Sequence, residues 1–261
     1  MVTMDRFIQK TYEVAIDAAR TAAAHLMKCF SEPHKRVSLD LGHDVKLEAD
    51  VETEQRIIQT IENTFPDHGF LCEESGTLRP QSEYIWVVDP LDGTVNFSRG
   101  IPHFCTSIAC KKNGEYLLGI VHDPVRQETF AALKGGRPTL NGNPILKKGI
   151  DSIEQAIVAG NFFHEGAIEK GIETFARIVT RTKKVRFFGA AALDLCYLAA
   201  DRINCYANIR TNEWDIAAAA LIASLAGARV ETKEADGKID IFAADPAIFD
   251  ELKRTVGGTN R

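Results

Sequence analysis

The stretch from Tyr84 to Phe97 constrains this chain more than any other. An apolar strand, Tyr84–Val88, runs straight into Asp89-Pro-Leu-Asp92-Gly-Thr94-Val-Asn96-Phe97. A strand that ends this way delivers two anionic oxygen donors to a sheet edge, beside backbone N–H groups that open a turn or helix. Hard cations bind the first kind of group and phosphate binds the second. Pro90 fixes the turn, and Gly93 lets the backbone approach a ligand closely.

With 261 residues, 45% of them hydrophobic, the chain can bury a large core and suits one large domain or two modest ones. Its 31 basic and 36 acidic residues leave a net charge of −5, with no basic stripe long enough to track a polyanion. Nucleic acid and anionic membrane are therefore excluded as expected primary partners. The alanine-rich segment Met1–Phe30 is interrupted by Asp5, Arg6, Lys10, Glu13, Asp17 and Arg20, too often for a signal peptide or a membrane span. Six cysteines, none in a Cys-x-x-Cys pair, sit mostly inside apolar runs and read as reduced core residues of a cytoplasmic protein.

Phe7, Thr11, Val14, Ala15, Ala18, Ala22, Leu26 and Cys29 recur at steps of three and four, predicting one amphipathic helix over the first thirty residues. Glu32–Lys46 predicts a mobile loop or hairpin, and Val51–Phe65 a second helix with Asp50 as its N-cap. Strands are expected at Phe70–Cys72, Tyr84–Val88, Cys105–Lys111, Tyr116–His122 and Glu128–Ala132, with Asn113-Gly114 as a hairpin turn. After the polar run Gly135–Ile150 the rhythm alternates. Strands at Ala156–Ala159, Val185–Phe188, Ile203–Ala207, Arg229–Glu231 and Ile239–Ala243 interleave with helices at Ala167–Arg181, Ala191–Ala200, Asp215–Ala226 and Ala247–Val256. The expected fold is α+β, then α/β, divided near residue 148: a metal-binding half over 1–148 and a substrate half over 149–261.

Three further pieces carry chemistry. Glu73-Glu74 closes the strand Phe70–Cys72, Gly189-Ala190-Ala191 opens a helix with small residues, and Glu213-Trp214-Asp215 opens another. Asp215 alone could be a helix-favouring acid, stabilising by about 0.3–1 kcal/mol through the helix dipole. Small residues at a helix start can admit a phosphate or serve close packing.

Taken in order, Glu73-Glu74, then Asp89-Pro-Leu-Asp92-Gly-Thr-Val-Asn96-Phe97, then Gly189-Ala-Ala, then Trp214-Asp215 resembles the inositol monophosphatase family, within the lithium-sensitive, magnesium-dependent phosphatases. The resemblance runs from the first helix to the last. It implies the layered αβαβα sugar-phosphatase fold shared with fructose-1,6-bisphosphatases, a homodimer, and a small phosphate monoester as substrate. It further implies that Glu73, Asp89 and the carbonyl of Leu91 hold one Mg2+, that Asp89, Asp92 and Asp215 hold a second, and that Glu73 helps hold a weaker third. Mn2+ could substitute. Thr94 with Glu73 would position the attacking water, the N–H groups of Gly93 and Thr94 would hold the phosphate, and Asp50 would stand behind Thr94. Gly189, Ala190 and Ala191 would contact the organic part of the substrate. The implied roles match what the reaction needs: neutralised charge on the ester, and a water aligned in line with the leaving oxygen. Oxygen-only donors suit Mg2+ or Mn2+ rather than zinc.

The chain departs from the family in three places. Leu47-Glu-Ala-Asp50 replaces the usual Thr-x-x-Asp, the loop basic residue is ambiguous among Lys35, Arg36 and Lys46, and Asn208 stands where a substrate-binding glutamate is common. An amide donates as well as accepts but carries no charge. Inositol 1-phosphate is therefore expected to be one of several substrates.

Competing readings fail on spacing or context. Asp89 and Asp92 are separated by two residues, whereas an aspartyl-nucleophile phosphatase needs Asp-x-Asp. Cys196 and Arg202 satisfy Cys-x5-Arg but lie in a helix-patterned run without a glycine-rich loop, so Cys196 reads as core. Val95-Asn96-Phe97 after Gly-Thr disfavours a 3′-phosphoadenosine phosphate substrate; fructose 1,6-bisphosphate and histidinol phosphate stay open. The rival from another class is a metal-dependent regulatory or binding protein with the fold but little turnover.

Overall fold

Two sheets of different character organise the computed structural model, which describes residues 6–32, 37–40, 45–164 and 167–257. The chain begins with α1 (Arg6–Phe30), an antiparallel pair β1 (Val37–Asp40) and β2 (Val45–Leu47), and α2 (Glu48–Glu62). There follow β3 (Gly69–Cys72), β4 (Gly76–Leu78), β5 (Tyr84–Asp92), a short helix α3 (Thr94–Ser98), β6 (Cys105–Lys112), β7 (Glu115–Asp123), β8 (Glu128–Leu133), β9 (Thr139–Leu140) and β10 (Asn143–Pro144). These strands make an eight-stranded sheet in the order β10-β9-β8-β7-β6-β5-β3-β4, in which β3 and β5 form the one parallel pair.

The second half adds β11 (Ile157–Asn161), α4 (Ile168–Val179), β12 (Lys184–Arg186), α5 (Ala191–Ala199), β13 (Cys205–Thr211), α6 (Glu213–Leu225), β14 (Arg229–Ala235), β15 (Lys238–Ala244) and α7 (Phe249–Gly257). Its sheet runs β12-β11-β13-β15-β14, with the first three strands parallel. The sheets fall on opposite sides of residue 148, between Pro144 and Ile157.

The apolar periodicities build the layers. On one face of the large sheet, Ala15 and Ala18 of α1 and Ile57 and Ile61 of α2 meet Phe70, Trp86, Val88 and Ile108. On the other face, Leu195 and Leu198 of α5 and Ala218 and Ile222 of α6 pack against Val87, Ala109 and Val121. The same two helices press their far sides on Tyr206, Ile241 and Ala243 of the small sheet, so this core draws on both halves. Ile178 of α4 and Phe249 and Leu252 of α7 close the outer face over Val158, Cys205 and Ala207. The result is the αβαβα layering expected from the sequence. Strand β5, buried on both faces, alternates Val87 toward one core and Trp86 and Val88 toward the other, which is why it reads as an unbroken apolar run.

The alanine-rich α6 approaches the large sheet unusually closely. A Cβ at Gly119 of β7 would lie 2.5 Å from the carbonyl oxygen of Ala218 and 2.8 Å from its Cα, so only glycine fits there.

Asp50 is not the N-cap of α2. Leu47 occupies that position in an extended conformation (φ −112°, ψ 154°), and Asp50, one turn in, reaches back to accept the Leu47 N–H at 2.7 Å. Strand β13 runs four residues past the expected end at Ala207, carrying Asn208 and Thr211, while β12 stops at Arg186, before Phe187 and Phe188. All six cysteines are free and five are buried, Cys196 among them. Among the described residues no helix is long and apolar enough to cross a membrane.

Candidate active site

The acids that the sequence singles out come from the ends of three segments. Asp89 and Asp92 close β5, Glu73 follows β3, and Asp215 sits in the first turn of α6. All four line one cleft of about 260 Å3. Leu91, Gly93 and Thr94 line it too, and Gly189, Ala190 and Ala191 come from the loop that opens α5. Asn208 completes the expected set. Asp50 and Glu74 lie outside the lining; Lys35 and Arg36, and the side chain of Lys46, lie outside the described residues.

Each acid is held by a backbone feature. The carboxylate of Asp92 straddles the start of α5, accepting N–H groups from Ala191 at 3.0 Å and Ala192 at 2.7 Å. The exposed amides of that helix therefore receive a side chain of this protein, and its positive end favours the ionised form. Asp89 accepts the Leu91 N–H at 2.9 Å, which sets the turn through Pro90. Asp215 accepts the hydroxyl of Thr211 at 2.6 Å and the N–H of Asn212 at 2.8 Å. Glu73 is fixed through its neighbours. Buried Glu54 of α2 takes the N–H groups of Glu74 and Ser75, both at 2.8 Å, clamping the turn that follows β3.

Gly93 joins β5 to α3 with φ 95°, a left-handed conformation that disfavours any side chain. A Cβ there would lie 3.0 Å from the His103 carbonyl, so the approach is close as well. Immediately after it, the Thr94 hydroxyl donates to the Leu91 carbonyl at 2.9 Å. Asn96 then ties this turn to the α5 loop, donating to the carbonyls of His103 at 2.9 Å and Phe188 at 2.7 Å.

Burial and mutual repulsion disfavour ionisation throughout the cluster. Burial, then the charge of Asp215, pushes the Glu73 carboxyl up to about 8. Burial, then Asp215 again, raises Asp92 to about 7. Asp89 and Asp215 are also raised, with burial the main cause, and Asp89 shares a hydrogen bond with Glu73. Among the described residues no three His, Cys, Asp or Glu side chains stand in metal-holding geometry. The carboxylates of Asp89, Asp92 and Asp215 point instead at the protein donors just named. Chemically the set still fits a hard divalent cation: two buried carboxylates (Asp89, Asp92), two half-buried ones (Glu73, Asp215) and a backbone carbonyl, all oxygen donors, which an added positive charge would relieve of their repulsion.

The cleft also contains residues that sequence reasoning missed. Asn161 ends β11 directly beside Asn208, Tyr206 lies under Asn208, and Asp194 of α5 faces His103 at 3.5 Å. Asn161 could have been found as the polar residue that ends an apolar run, the same signal that marks Asp89. Thr211 and Asn212 were missed because β13 is longer than its apolar pattern.

The profile of the family described as "Inositol monophosphatase family" matches residues 8–252. Nus factor SuhB of Pseudomonas aeruginosa is 36% identical over 261 residues, 95% of this chain and 96% of that protein. Fructose-1,6-bisphosphatase/inositol-1-monophosphatase of Thermotoga maritima is 35% identical over 218 residues, 82% of each. Among solved structures, the extragenic suppressor protein suhB of Bartonella henselae superposes with a TM-score of 0.89 at 30% identity, covering 95% of this chain and 98% of that one. With the profile spanning nearly its whole length and the layered fold in common, this chain belongs to the inositol monophosphatase family.

Proposed function

We propose that the protein is a Mg2+-dependent phosphomonoesterase, with two or three ions per site and Mn2+ as a substitute, that hydrolyses a small polyol or sugar phosphate by attack of activated water. One observation carries this reading: Glu73, Asp89, Asp92 and Asp215, from three separate segments, meet in one cleft with the Gly93-Thr94 turn. Glu73, Asp89 and the Leu91 carbonyl would hold one ion, and Asp89, Asp92 and Asp215 a second. Bound there, the cations supply charge neutralisation and a more acidic water.

The chain's own residues supply position. The start of α5 pins Asp92, and Thr211 with Asn212 pins Asp215, so neither carboxylate needs to be ordered when the substrate arrives. Thr94 and Glu73 would orient the attacking water, and the Gly93 and Thr94 N–H groups would receive the phosphate. Ala190 and Ala191 leave room for the organic group. Asp50, buried and bound to Leu47, would stand behind Thr94.

A second reading is favoured by the name of one relative, a Nus factor. In it the same cleft belongs to a metal-dependent regulatory or binding protein. A phosphate-release assay with Mg2+ at mildly alkaline pH separates the two. The panel comprises inositol phosphates, fructose 1,6-bisphosphate, histidinol phosphate and 3′-phosphoadenosine phosphate. Release from at least one ester supports the enzyme, and release from none removes it. We further propose a cytoplasmic homodimer. The free cysteines support a reducing compartment, and Ile168, Ile172, Val179 and Phe187, each 45–55% exposed, support association.

A further inference from the structure

We infer that Lys238, acting through the side chain of Asn212, is a positioning residue for Asp215: together they commit one oxygen of that carboxylate to the protein and leave the other for a cation. This rests on the two-ion reading above and deepens it.

A β-bulge brings the three residues together. Strands β13 and β15 run antiparallel with Asn208 opposite Ile241, yet further along Thr211 stands opposite Ile239, so three steps on β13 answer two on β15. Within that stretch Arg210 takes a left-handed φ of 61°, and its N–H donates to Asp240 Oδ1 at 3.0 Å, which holds the irregularity in place. Without the extra residue the register would carry Asn212 to Gly237, which has no side chain to offer. With it, Asn212 comes opposite Lys238.

Chemistry then fixes which way the Asn212 amide faces. Lys238 Nζ can only donate, and it donates to Asn212 Oδ1; Nδ2 is left for Asp215, donating to Oδ2 at 3.3 Å. A flipped amide would set a nitrogen against an ammonium and an oxygen against a carboxylate, and neither contact would survive. The same Oδ2 receives the Thr211 hydroxyl and the Asn212 N–H. Three donors converge on one oxygen, and among the described residues none of them reaches Oδ1.

Lys238 is half-buried, and its ammonium is spent on a neutral amide and not on a carboxylate. A cation placed only to balance the acids would pair with one of them directly. Its charge also reaches Asp215 through space, so removing it has two consequences of opposite sign. Loss of the oriented amide weakens cation binding, whereas loss of a nearby positive charge strengthens it. Only the first passes through Asn212.

The test measures Mn2+ affinity by electron paramagnetic resonance, which counts free ions and needs no turnover. Lys238→Met and Asn212→Ala should each weaken binding by about tenfold, and Asn212→Ser, which can still cap α6 but cannot span to Lys238, should match Asn212→Ala. Lys238→Arg, which also only donates, should bind within about threefold of wild type. In an Asn212→Ala protein, Lys238→Met should cause no further weakening. Binding unchanged or tighter in Lys238→Met, or weakened equally in both backgrounds, would overturn the relay and leave the ion site standing. Asp215→Asn ties the signal to the cleft: no Mn2+ bound by the wild type, or binding indifferent to Asp215→Asn, would overturn the relay and the two-ion reading together.

Discussion

Replacing Gly119 with alanine tests whether the site depends on how closely α6 seats on the large sheet. The added Cβ would stand 2.5 Å from the Ala218 carbonyl oxygen, where ordinary contact begins near 3.4 Å, so helix and strand must part by roughly 0.9 Å. Overpacking of this kind costs about 1–3 kcal/mol. Alanine returns about 0.4–1 kcal/mol by restricting the unfolded chain, so the net loss is about 1–2 kcal/mol. For a chain of this size that lowers the melting temperature by about 3–6 °C. Because the contacts are with backbone atoms, Ala218→Gly should not rescue the variant. Asp215 lies one helical turn before Ala218, so part of the shift reaches the cleft, and misplacement approaching 1 Å costs up to about 100-fold in turnover. Gly114→Ala is the matched control. Its Cβ meets nothing within 4 Å, and its φ of 84° imposes only local strain at a turn far from the acids. Thermal melts and Mg2+-dependent phosphate release on both variants decide the matter. A Gly119→Ala protein within about 0.5 kcal/mol of wild type and fully active would refute the reasoning.

Asp92→Asn should cut turnover by about a thousandfold or more while the fold persists, since the amide oxygen still accepts one of the two α5 N–H groups that the carboxylate takes; near-normal turnover would break the assignment of two ions. The same variant has a signature in metal-free melts. The folded carboxyl of Asp92 is raised from 3.8 to about 7, so its cost to the folded state is absent below 3.8 and complete above about 7, roughly 4 kcal/mol. Asn removes that cost, so the stability of the variant relative to wild type should climb with pH across this window, and a flat difference would contradict it. His68 accepts the Trp86 N–H at 3.0 Å while stacked between Phe65 and Tyr84, and burial lowers its pKa below 6.5. Its contribution is therefore present above pH 6.5 and lost as pH falls through the lower folded value. Trp86 fluorescence should report that step below 6.5, with His68→Phe abolishing it and a midpoint at or above 6.5 contradicting it. Millimolar Li+ should inhibit phosphate release if the cleft works as its relatives' family suggests; insensitivity would argue for a different arrangement of ions. Ile172→Asp should shift the mass measured by light scattering from dimer to monomer, and an unchanged mass would place the interface elsewhere.

What the sequence reveals and conceals follows from the range over which each signal acts. Strand β5 and helices α1, α5 and α6 were legible because their burial is periodic and long, and a periodic apolar pattern survives without knowledge of its partners. Strands β9 and β10 escaped because two residues cannot show a period, and β12 was overextended because Phe187 and Phe188 are apolar without belonging to the ladder. Asp50 was misplaced by three positions. Its residue type suits an N-cap, yet the same carboxylate serves one turn inside the helix by reaching back to Leu47, and only the folded geometry separates those two uses. Glu54 was invisible for a related reason. It acts on the Glu74–Ser75 turn, twenty residues away, and no local pattern encodes that contact.

The architecture also explains why these acids tolerate one another. A buried carboxylate is costly unless hydrogen-bonded, and four in one cleft add repulsion to desolvation. Every one of them sits where a strand or helix ends, which is where backbone N–H groups have no partner within the element. Asp92 takes two from α5, Asp215 takes Asn212 at the start of α6, and Asp89 takes Leu91 in its own turn. Element ends therefore serve two needs together, satisfying orphan amides and holding acids that would otherwise protonate or turn away. Interior strand positions could not do this, because their amides are consumed by the ladder. The same pattern recurs elsewhere in the cleft lining, where β11 and β13 end side by side on Asn161 and Asn208. In one place the element ends supply carboxylates; in the other they supply uncharged amides.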